Sequence, residues 1–158
     1  MNDKHLLDVF ESLRETGRDL AALDLHLEAL AAAVDGDQAR ANARFADAQK
    51  WESSKGYSDG ALHTAHQMAL TSNFGGDLRR LDEYYHETTR TLTKMRNRKG
   101  VALCLRSIGE IAIVKSDKTE LTKAWDLSER LFVRLRAPEA SQMAAWQACL
   151  REVLDRQQ

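Results

Sequence analysis

Apolar residues recur along this chain at three- and four-residue intervals, with polar and turn-forming residues between the periodic stretches. The pattern predicts helices over 3–16, 20–34, 37–54, 58–74, 77–96, 99–114, 117–136 and 139–156. Written in blocks of forty, residues 21–60, 61–100 and 101–140 align without a gap, preceded by a helix within 1–19 and followed by another within 141–158. The turn inside each block reads Gly36-Asp37, Gly76-Asp77 and Ser116-Asp117. One position stops a helix, and the next starts another by accepting hydrogen bonds from unpaired amides. Asp117 is followed by Glu120 at capping-box spacing.

Two rows of side chains repeat in register. Ala29, Ala69, Gly109 and Cys149 are small and permit close helix approach, while Phe45, Tyr85 and Trp125 each follow Ala41, Leu81 or Leu121 by four residues and share its face. Each block is therefore a helix, a tight turn and a longer helix, and a unit of that kind buries its apolar stripe only by stacking on a neighbour.

These features resemble the tetratricopeptide-repeat family, with the best copy at Ile108-Gly109, Ser116-Asp117, Leu121 and Trp125. The spacing is similar to the longer, roughly forty-residue variant of bacterial regulators of the MalT and Rap kind and of kinesin light chains. Glu28 and Thr88 depart from the pattern, as do Ala32, Ser72 and Ala112 where the family often has an aromatic. The resemblance implies an all-α fold of about eight helices, a right-handed superhelical α-solenoid whose first helices line a concave groove. It places His63 and Met143 in one groove row, His26, His66, Arg106 and Trp146 in a second, Glu110 in a third and Asn73 in a fourth.

The row of two imidazoles, a guanidinium and an indole supplies the residue types that dominate binding hot spots. A protein-protein interaction module acting as adaptor or regulator is the leading expectation, with a peptide or partner helix held at His26, His63, His66, Asn73, Arg106, Glu110, Met143 and Trp146. The alternative within the same groove is a sensor of a small molecule or signalling peptide. Other readings of the same residues are an Arg106 to Glu110 pair along one helix and a Trp146 that covers the end of the core.

Composition narrows the field further. The chain is 43% hydrophobic and 30% charged with one proline, Pro138, in keeping with helix throughout. No apolar run is long enough to span a bilayer and the first residues do not form a signal peptide, so a cytoplasmic location is expected. Residues 1–60 carry 7 Lys/Arg against 12 Asp/Glu, whereas 61–158 carry 16 against 12, which predicts neither a nucleic-acid nor a membrane partner.

Catalytic and metal chemistry finds no converging pattern. His26, His63 and His66 could in principle converge on a zinc ion, a metal-binding or enzymatic alternative, but without a His-Glu-x-x-His pattern or a nearby Cys pair they read better as partly exposed histidines that hydrogen-bond side chains or water. Cys104 and Cys149 lie in apolar helical patterns that suit buried thiols. Arg90, Lys94, Arg96, Arg98 and Lys99 fall where a long helix ends, a place that favours cations. No enzyme activity and no cofactor are expected. The incomplete pairs at the two ends leave two arrangements open: a monomer capped by Glu152, Asp155 and Arg156, or a homodimer through the last helix that buries Met143, Trp146 and Leu150.

Overall fold

The computed structural model describes residues 5–157, so Met1–Lys4, which include the predicted start of the first helix, and Gln158 lie outside the described residues. Among the described residues the chain is all-helical. It runs α1 (His5–Ser12), a 3-10 turn (Leu13–Thr16), α2 (Leu23–Val34), α3 (Gln38–Ser54), α4 (Ser58–Asn73), α5 (Leu78–Lys94), α6 (Arg98–Lys115), α7 (Lys118–Arg134) and α8 (Glu139–Arg156). Among the described residues no helix is long and apolar enough to cross a membrane.

The forty-residue register appears directly in the backbone, because α3, α5 and α7 begin forty residues apart, each behind a capping aspartate. Asp37 accepts from the Arg40 amide, Asp77 from those of Arg79 and Arg80, and Asp117 from that of Glu120. The residue before each cap is left-handed, at φ +83° for Gly36, +78° for Gly76 and +61° for Ser116. Glu120 does not complete a capping box with Asp117. Its carboxylate lies 3.0 Å from His86 Nε2 on α5, a partner from another block.

Successive helices pack against one another, but the second block departs from the others. Phe45, Tyr85 and Trp125 are all buried, as are Ala29, Gly109 and Cys149. Ala69, in the same small-residue row, is exposed. The rings of Phe74, Tyr84 and His66 fill the space between α4 and α5, with centroids 6.1 and 6.3 Å from Tyr84, so these two helices touch only lightly.

The two ends of the array meet within one chain. α1 packs on α8, α6 and α2, with Leu6, Phe10 and Leu13 buried against a core that includes Trp125, Met143, Trp146 and Leu150. Phe10 stands edge-on to Trp125 at 6.2 Å, Arg18 pairs with Glu152 at 2.5 Å, and Arg156 donates to the Ser12 hydroxyl at 3.1 Å. The half-pairs therefore complete each other. Met143 and Trp146 are 0% exposed in the single chain, so a dimer through these residues would have no surface to bury there. Glu28, out of character for its row, pairs with Arg14 of the 3-10 turn and lies 3.6 Å from Arg44 of α3.

Candidate functional site

The inner helices α2, α4, α6 and α8 do not line an open groove along the expected row. They converge, and α1 closes over the end. His26, Arg106, Glu110, Met143 and Trp146 are each 0% exposed, which corrects their assignment to a partner-binding surface. His63 is half-buried, and only His66 and Asn73 are exposed.

At the centre lies a buried cluster of ionisable groups. His26 Nε2 is 3.1 Å from Glu52 Oε2, and His26 Nδ1 is 2.9 Å from Glu110 Oε1, though off the axis of a hydrogen bond. Arg106 Nη1 donates to Glu52 Oε2 at 3.0 Å and to Gln142 Oε1 at 2.7 Å, while Nη2 donates to Thr64 Oγ1 at 3.0 Å and Gly60 O at 3.3 Å. Glu52 also accepts from the Thr64 hydroxyl at 2.5 Å and the Gln142 amide at 2.8 Å. Two cations thus offset two anions, as burial of charge requires.

The backbone makes room for this. A Cβ on Gly60 would lie 3.0 Å from Arg106 Nη1 and 3.3 Å from Glu139 Cγ, and the Gly60 amide donates to Glu139 Oε2 at 2.9 Å. The Trp146 indole caps the cluster from α8, 5.3 Å from the His26 ring and 5.5 Å from the Arg106 guanidinium, while its Nε1 donates to Ala21 O at 2.9 Å.

Charge states follow from these neighbours. Burial works against an imidazolium at His26, but the charges of Glu110 and Glu52 outweigh it and hold its pKa up to about 9. Glu52 also suffers burial, yet Arg106 and His26 keep its carboxyl well below the usual carboxylate range. His63 goes the other way: burial, then the Arg106 guanidinium and the neighbouring His66, push it well below the ordinary histidine value.

A second chain of hydrogen bonds runs outward from the cluster. Gln67 Nε2 donates to Glu110 Oε1 at 3.4 Å, the Ser107 hydroxyl donates to Gln67 Oε1 at 2.7 Å, and His63 Nε2 lies 2.8 Å from Ser107 Oγ. Because Ser107 spends its only proton on Gln67, His63 donates through Nε2 as the neutral tautomer. His63 is thus where the buried network reaches the surface. Glu110 is its loosest member, for Oε2 has no hydrogen-bond partner and the nearby Arg106 Nε, at 3.9 Å, has none either.

Glu52, Thr64, Gln67, Ser107 and Gln142 were not legible as a set from the repeat rows. One signal was present: Glu52 stands where the later blocks place Leu92 and Phe132, so a carboxylate occupies an apolar register position. α3 buries the stripe Phe45, Ala48 and Glu52, and such a carboxylate needs buried partners.

The surface left on the inner side belongs to α4. An open groove of about 550 Å³ is lined by Asp59, Leu62, His63, Ala65, His66 and Leu103. Among the described residues no three His, Cys, Asp or Glu side chains are grouped to hold a metal ion. No family model matches the chain, and neither a curated protein nor a solved structure matches it significantly.

Proposed function

We propose that this protein is a non-enzymatic helical-repeat module that binds another polypeptide, and that its working surface is the α4 groove. One observation carries the reading. Leu62 is 72% exposed, whereas the same register position in the other blocks, Ala22, Ala102 and Gln142, is buried. A large apolar side chain left uncovered where its counterparts are covered supports a surface that a partner completes.

The groove's chemistry fits that use. Leu62, Ala65 and Leu103 form an apolar floor, the exposed His66 imidazole adds a polar rim, and Asp59 is engaged by Lys99 at 2.9 Å. An open groove favours a polypeptide over a small molecule, and Arg106 and Trp146, which could have enclosed a small ligand beside His66, are wholly buried.

A photo-crosslinking residue placed at Leu62 tests the proposal in the source cell. The expected result is a discrete polypeptide adduct that weakens with His66→Glu and is missing when the crosslinker replaces the exposed Glu83. Equal labelling at both positions, or none at Leu62, would remove this assignment.

A further inference from the structure

We infer that the corner between α5 and α6, together with the outer face of α7, is a second docking surface, and that its partner is an acidic polypeptide segment bearing leucine-type anchors. Leu92, Val101, Leu127 and Leu131 form the walls of a groove of about 380 Å³, and Arg96 and Arg98 stand on its rim. It lies apart from the α4 groove: along α6, Lys99 and Leu103 serve the α4 side, and Arg98 and Val101 serve this one.

The repeat register makes the apolar wall informative. Leu127 is 42% exposed, and the equivalent exposed positions on α3 and α5 are Asp47 and Glu87. The outer wall of this fold therefore needs no leucine at that site. Leu131 follows one turn later on the same face of α7, and Met95, beside the turn, is 67% exposed.

The cations sit against local backbone preference. Arg96 is left-handed at φ +59°, where the first block has Gly56 at +79°. Arg98 opens α6, so it opposes the positive end of the helix dipole; the sequence had placed it at a helix end that welcomes cations. Neither side chain has an ion-pair partner among the described residues, although surface pairs are common elsewhere on the molecule. Two unpaired guanidiniums beside a leucine-walled groove complement an acidic amphipathic segment. Single-stranded nucleic acid is the less suited partner, because no aromatic ring lines the groove for bases to stack on.

Fluorescence anisotropy with the intact protein tests this, using a labelled synthetic helix of glutamates with leucines at helical spacing and its lysine-for-glutamate counterpart. The acidic probe is expected to bind saturably, and to bind about tenfold more weakly to Arg96→Glu/Arg98→Glu and to Leu127→Glu, with Leu62→Glu unchanged. Arg96→Gly, which relieves the backbone while removing one cation, guards against misfolding and should weaken binding without lowering the melting temperature. Lack of saturable binding, equal binding of the lysine probe, or indifference to these variants would overturn the inference. So would preferential binding of a single-stranded oligonucleotide or an anionic vesicle. Light scattering of the protein alone supplies the last arm: a dimer that the double arginine variant abolishes would assign the groove to a second copy and overturn the inference.

Discussion

His26 and Glu52 lie 3.1 Å apart between α2 and α3, with neither side chain exposed to solvent. The pair is part of a four-charge cluster whose other members, Arg106 and Glu110, come from α6, so one contact set joins the first block to the third. Removing one partner from such an enclosed cluster leaves the other charge buried and uncompensated, which makes each contact costly to break.

Stability should peak near pH 6.5. The raised His26 value contributes stability that is complete below its unfolded value of 6.5 and is lost as the pH climbs through about 9. His63, held neutral, acts oppositely and costs stability as the pH falls below 6.5, with Glu52 adding a further loss below its ordinary value of 4.5. Urea unfolding across this range would show both limbs. His26→Gln should flatten the alkaline one, and an unchanged alkaline slope in that variant would contradict the assignment.

The two carboxylates should differ in consequence. Glu52 accepts hydrogen bonds from His26, Arg106, Gln142 and Thr64, whereas Glu110 accepts one long bond from Gln67. Glu52→Gln is expected to cost about 3 to 5 kcal/mol and Glu110→Gln less than half of that, as read from urea midpoints. Arg106→Met should match the Glu52 variant, because it leaves that carboxylate enclosed with its main cation gone.

Two glycines separate steric from backbone demands. A Cβ on Gly109 would meet Trp125 Nε1, whose ring is held by a 3.1 Å hydrogen bond to Arg106 O, whereas a Cβ on Gly36 at φ +83° meets nothing. Gly109→Ala should cost about 3 kcal/mol by overpacking, and Gly36→Ala about 1 kcal/mol by backbone strain alone. Adding Trp125→Leu to Gly109→Ala should cost less than the two changes summed, and strict additivity in that cycle would argue against the contact.

Arg136 is left-handed at φ +55°, in register with Arg96 and Gly56. Arg136→Gly is expected to raise stability by about 1 kcal/mol, since glycine adopts this conformation without a Cβ clash. A thermal melt lower than that of the unmodified protein would show that the Arg136 side chain makes a contact outweighing the strain.

The local features of the fold were legible because each depends on near neighbours along the chain. Capping at Asp37, Asp77 and Asp117, the left-handed stops before them, and the pairing of Leu81 with Tyr85 or Leu121 with Trp125 require only helical geometry and residue type. The forty-residue period follows from the same information repeated.

What faced inward at the centre was decided only in three dimensions. His26, His66, Arg106 and Trp146 share one register position, yet three are buried and His66 is exposed, while α4 contributes Thr64 and Gln67 to the cluster instead. Register places a residue on a face of its helix, but how closely the inner helices converge depends on every contact in the stack. The mutual contacts of α2, α4 and α6 and the closure of α1 onto α8 turned most of the expected groove into core. Its exposed remainder is the face of α4 around Leu62 and His66.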